Sequence, residues 1–67
     1  MNMRMMNKFD QVKEILHAVE VDVVAFYEKG NKAAGARVNR AMKGVKVLAQ
    51  EIRAEVLQKR IAKNNQG

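Results

Sequence analysis

An all-α fold, an antiparallel hairpin of two long helices dimerising into a four-helix bundle, is what this 67-residue sequence predicts. Three observations carry that expectation. Apolar residues recur at spacings of three and four along two long stretches, the period of a helix face. Gly30-Asn31 stands between the stretches as the one strong reversal signal. Proline and cysteine are absent, so neither a helix breaker nor a disulfide framework shapes the chain.

Residues 1–6, with methionines at 1, 3, 5 and 6, are expected to be a flexible N-terminal extension. They contain no apolar run like the core of a secretory signal, so a cytoplasmic location is expected. The hairpin domain is assigned to residues 7–62. Asn7 suits an N-cap, because its short side chain can accept from a free backbone N–H, and Asp10 adds negative charge to the first turn. Helix 1 is expected over about 8–29. Its seam is Phe9, Val12, Leu16, Val19, Val23 and Phe26, broadened by Ile15. Val21, Val23 and Val24 are β-branched, yet the pattern through them keeps the helical period.

The turn is assigned to residues 30–31. Gly30 suits a position just past a helix, where a left-handed backbone costs glycine nothing. Asn31 is a favoured cap for the next helix. So short a connection makes the arms antiparallel neighbours. Helix 2 is expected over about 32–62, with the seam Ala34, Val38, Ala41, Val45, Leu48, Ile52 and Val56. Gly35 and Gly44 interrupt it at about 1 kcal/mol each relative to Ala. Residues 63–67 are polar and expected to fray.

Two helices cover only part of each other's seam, and helix 2 outruns helix 1. Ile52, Val56, Leu57 and Ile61 are therefore expected to lack partners within one copy. Below about 70–80 residues a single core rarely supplies more than about 3–5 kcal/mol. A homodimer or higher homo-oligomer is expected on that ground, with two hairpins forming a four-helix bundle.

Charge is divided unevenly. The net +6 combines a sum of −2 over residues 1–28 with +8 over residues 29–67. From Lys29 to Lys46 there are six bases, Lys29, Lys32, Arg37, Arg40, Lys43 and Lys46, and no acid. With the seam inward, most of these point outward on helix 2 with Arg37 at the flank, and Arg53 extends the set. Cations on a rigid helix can meet successive phosphates, with counterion release driving binding. Among them only Asn39 offers an amide and no aromatic platform interleaves, so sequence-indifferent binding is expected. A charge run can also be a solvated helix face, but Glu51 and Glu55 do not interleave with this one as solubility alone would favour.

Other chemistry is thinly represented. Gly30 and Gly35 have the glycine spacing of a phosphate loop, but Ala36-Arg37 follows where Lys-Ser/Thr is required, and no strand precedes. His17 is the sole histidine and is expected at the surface or rim. Glu14, Glu20 and Asp22 have no pocket to act in. They are expected to provide solubility or to attract the basic arm of a neighbouring chain. No enzyme activity, cofactor or metal is expected. No segment approaches the ~20 apolar residues of a membrane span. Membrane-surface binding would need the Val38–Val56 seam bare, and helix 1 is expected to cover it.

The tip Lys29-Gly30-Asn31-Lys32-Ala33-Ala34-x-x-Arg37-Val38-x-Arg40 resembles the signature of the bacterial histone H1-like proteins of the chlamydial type. Short relatives of the Bacteroidetes kind are similar over Phe26–Gly35 and again over Leu48–Arg53, so the likeness covers about Asn7 to Lys59. The resemblance implies a nucleoid-associated protein binding DNA, and RNA as an alternative, with low sequence specificity. Lys29, Lys32, Arg37 and Arg40 match its motif; Lys43, Lys46 and Arg53 come from helical geometry. Chlamydial members carry a long Lys- and Ala-rich tail, whereas this sequence runs only to Gly67. Binding is therefore expected to rest on the hairpin. A competing expectation is a helical oligomerisation or adaptor module whose basic face serves solubility.

Overall fold

A computed structural model describes residues 6–66, with side chains described through Arg60. The expected flexible extension falls almost wholly outside the described residues. Two helices make up the fold, α1 over Lys8–Lys29 and α2 over Lys32–Gln66. α2 continues past the end expected near 62, because neither glycine nor proline interrupts the chain between Gly44 and Gly67.

Both helix starts are capped by asparagine. The Asp10 amide donates to Asn7 Oδ1 at 2.8 Å, and the Asn7 amide donates back to Asp10 Oδ2 at 3.3 Å, a reciprocal capping box. Asn31 Oδ1 accepts from the Ala34 amide at 3.0 Å. Between the helices Gly30 takes φ 65° and ψ 26°, the left-handed region. There its amide donates to the Phe26 carbonyl and that of Asn31 to the Ala25 carbonyl, each at 3.1 Å. The reversal thus satisfies carbonyls that the end of α1 would otherwise leave bare.

At 1.5 Å per residue the 22 residues of α1 reach about 33 Å and the 35 of α2 about 52 Å. Lys8, at the start of α1, meets Glu55, so α2 beyond that point projects past its partner. The molecule measures 54 × 30 × 14 Å, one helix thick. Its radius of gyration is 16.4 Å, where a compact chain of this length has about 11 Å.

So thin a layer buries little. Among the described residues only Val19 (6% exposed) and Ala34 (0%) are buried. Val12, Ile15 and Val23 on α1 are half-buried, as are Val38, Ala41, Val45, Leu48 and Ile52 on α2. The α2 seam therefore packs from Ala34 to Ile52, which corrects the expectation that Ile52 lacks a partner, while the seam residue Val56 and its neighbour Leu57 stand exposed on the projecting end. Ile61 lies outside the described side chains. The α1 seam needs correction: Phe9, Leu16 and Phe26 are 59%, 43% and 40% exposed. A stripe with three-and-four spacing is wider than one facing helix can cover, and Ile15, not Leu16, fills the central position.

Some of the exposed apolar residues share a side, while Val21, Val24 and Val47 point outward. Measured from Val19 and Ala34 as the inward directions, Asp22 and Arg37 each lie about 60° to one side. Phe9, Leu16 and Tyr27 on α1, with Met42 on α2, lie about 60–80° to the other. Equal turns on facing antiparallel helices fall on one face of the layer. One face thus carries ion pairs, and the other an unfilled apolar surface.

The two helical glycines differ. A Cβ at Gly35 would stand 2.6 Å from Phe26 Cδ1, whereas one at Gly44 would rest at an ordinary 3.6 Å from Ile15 Cδ1. Gly35 lets the Phe26 ring lie against α2, the close approach of a ring from the same hairpin. Gly44→Ala should raise the melting temperature through a helix-propensity gain of up to about 1 kcal/mol. Gly35→Ala should lower it, since displacing the ring costs about 1–3 kcal/mol. Thermal unfolding by circular dichroism reads both, and equal shifts would contradict this packing.

Candidate nucleic-acid interface

The seven basic residues singled out from the sequence are all exposed, but the fold does not treat them alike. Arg37 is engaged: its Nε donates to Asp22 Oδ1 at 2.9 Å across the hairpin, and its Nη2 stands 2.9 Å from the same oxygen. Asp22 thus binds the basic arm of its own chain. The pair ties the two arms together on the polar face. Lys29, Lys32, Arg40, Lys43, Lys46 and Arg53 have no acid within ion-pair distance among the described residues.

A second clasp lies at the open end. Lys8 Nζ donates to Glu55 Oε2 at 2.6 Å. That hydrogen bond, then the charges of Glu55 and Glu51, raise the Lys8 pKa above its ordinary 10.5. The contact therefore helps the fold at and below that value and is lost as pH climbs through the raised one. It also accounts for both acids of α2, which serve the start of α1. They lie on the flank where Arg37 sits, about 60–100° from the inward direction.

Positive charge is consequently concentrated on the rest of α2. Lys32, Lys43 and Lys46 point within about 60° of straight outward, and Arg40 stands at the margin of the same ridge. Lys29, the last residue of α1, stands beside the turn, while Arg53 lies further along α2 toward the apolar face. The first turn of α2 contains no acid. Lys32 to Arg53 spans about 32 Å of helix. α1 presents the opposite charge: Asp10, Glu14 and Glu28 lie on its outward side, so the layer has a basic edge and an acidic edge.

His17 is exposed, 3.7 Å from Glu20, and belongs to no concave site. Among the described residues no three His, Asp or Glu side chains converge on a metal position, and no helix is long and apolar enough to cross a membrane. Arg60 escaped the sequence reading. It is exposed, and its signal was a seven-residue step from Arg53, itself seven from Lys46.

Because Arg37 is half-exposed, its bond to Asp22 should be modest. A double-mutant cycle with Asp22→Ala and Arg37→Ala should give a coupling of about 0.2–1 kcal/mol that shrinks with added salt. A salt-independent coupling would place the pair in a drier setting than the structure shows.

No curated protein and no solved structure matches the chain. The family described as histone H1-like protein Hc1 matches residues 6–62, which include both caps, the turn, both clasps and every basic residue discussed above. The chain belongs to the histone H1-like protein Hc1 family.

Proposed function

We propose that this protein is a non-enzymatic, histone-like, nucleoid-associated protein that binds DNA through phosphate contacts from α2, with little sequence preference. The supporting observation is the row of exposed cations on α2 that no acid of the fold neutralises, while the acids of α2 are gathered on its other flank. Family membership supports the same reading. Lys29, Lys32, Arg40, Lys43, Lys46 and Arg53 are the proposed contacts. Arg37, which belongs to the family-like motif, is assigned to holding the arms together. Phosphate contacts position a protein on the duplex and carry no base information, which fits a helix face without a base-reading array.

The binding unit in this proposal is a homodimer. The apolar face bearing Phe9, Leu16, Tyr27 and Met42 lacks a partner in one copy, and a second hairpin laid against it would form a four-helix bundle. The accessible surface of 6074 Å² exceeds the roughly 4300 Å² of a compact 7.6 kDa protein. The surplus is larger than the ~800 Å² each partner buries in a standard interface. The outward ridge of α2 would remain free in such a dimer.

Duplex-DNA affinity measured by fluorescence anisotropy against salt tests the function. About six neutralised phosphates should give a slope of log affinity on log salt near −5, equal for two unrelated sequences. Arg40→Glu with Lys43→Glu should flatten that slope by about 2 units at unchanged helicity. These two positions are chosen because Arg37→Glu would set a carboxylate against Asp22 and confuse folding with binding. Wild-type protein that ignores DNA at low salt would end the proposal in favour of an adaptor module. Competition between duplex DNA and RNA measures the preference between them.

Sedimentation equilibrium tests the dimer. Wild-type protein should run near twice 7.6 kDa, and Leu16→Glu with Met42→Glu should return it to one copy. A monomeric wild type at tens of micromolar would remove the bundle from the proposal.

A further inference from the structure

We infer that α2 lies lengthwise along duplex DNA and contacts it through a linear stripe: Lys32, Asn39, Lys46, Arg53 and Arg60. The inference rests on the DNA-binding reading and adds to it a direction, a length and two residues, Asn39 and Arg60.

The five positions recur every seven residues. On a straight α-helix that repeat drifts only about 20° per step, so the stripe turns by about 80° from end to end. Flexible Lys and Arg side chains span that drift. All five are exposed, and among the described residues none of the four cations is within ion-pair distance of an acid. Asn39 fills the one uncharged position with a side chain whose amide can donate to a phosphate oxygen.

No acid lies on this flank, which converges on the apolar face: Arg60 shares the direction of Met42. Glu51 and Glu55 lie on the opposite flank, and Glu55 is held by Lys8. Arg37 is on that flank too, held by Asp22. Near its far end the stripe runs onto the part of α2 that α1 does not reach, where Arg60 stands beside Val56 and Leu57. The projecting end of α2 is thereby given a role: it lengthens the cationic line without adding to the core.

Lys32 and Arg60 are about 42 Å apart along the axis. One turn of B-DNA measures about 34 Å. A helix lying along the duplex would therefore meet more than one full turn, about 12 base pairs at 3.4 Å each. A helix crossing the duplex, or inserted end-on at the turn, would engage only part of the stripe.

The experiment compares salt slopes of wild-type protein on duplexes of 8 and 16 base pairs, together with two variants on the longer one. The wild-type slope should be steeper on 16 than on 8 base pairs by about 1–2 units, because the short duplex cannot reach both ends of the stripe. Arg53→Ala with Arg60→Ala should flatten the 16-base-pair slope by about 1.8 units and leave little length dependence, while Arg37→Ala should leave the slope unchanged. Equal wild-type slopes on the two lengths overturn the lengthwise placement, even if the double variant folds poorly. A wild-type slope retained by Arg53→Ala with Arg60→Ala removes the stripe. Failure of the wild type to bind either duplex is a different result, and defeats the DNA-binding reading itself.

Discussion

The reversal at Gly30-Asn31 is the constraint on which the rest of this molecule depends. Glycine in the left-handed region ends α1, and the asparagine side chain begins α2. No residue is spare, so the register of the arms is set there. Asp22 then falls opposite Arg37, Ile15 opposite Gly44 and Lys8 opposite Glu55. The first two contacts are seven residues apart on each arm, and the third lies seven further along α1 and eleven along α2, a difference the long side chains of Lys8 and Glu55 span. A longer loop would let the helices slide, and a slide of one turn would part both ion pairs.

A single pair of helices has one line of contact, and that geometry explains both the sparse core and the division of the surface. Residues at the centre of the line, Val19 and Ala34, are buried. Those about 60° to one side meet across the hairpin as charges, and Phe9, Leu16, Tyr27 and Met42 on the other side remain open. Such a surface costs the isolated chain solubility without strengthening its core, and its most direct use is association. Near the tip Phe26 and Tyr27 stack in a T shape, with ring centres 5.1 Å apart.

The same geometry sorts the charges. Acids on α2 occupy the flank toward the ion-paired face, where Glu55 meets Lys8, and the cations are left on the remaining surface of the helix. Cations held on a rigid rod lose little further freedom when they meet a second rod of regularly spaced anions. Pairing with Asp22 inside the hairpin withdraws Arg37, already placed at the flank by helical geometry, from that set. The projecting end of α2 contributes in the opposite sense, because Arg60 joins a line that only the straight helix reveals.

Fold class, helix starts, the turn and the basic arm were legible in the sequence, because each depends on residues a few positions apart: Asn7 with Asp10, Gly30 with Phe26, Asn31 with Ala34. Local hydrogen bonds and the 3.6-residue period write such features directly into the chain. The composition of the α1 seam was read less well, since periodicity locates a stripe to within a side chain's width and cannot say whether Ile15 or Leu16 is central. Ion pairing across the hairpin was not legible. Asp22 and Arg37 stand fifteen residues apart and Lys8 and Glu55 forty-seven, and only the packed register brings them within reach. The sequence by itself determined that this chain is a capped helical hairpin with one strongly basic arm. Tertiary structure decided which cations remain free and which apolar residues remain uncovered, because both follow from how one helix shadows the other.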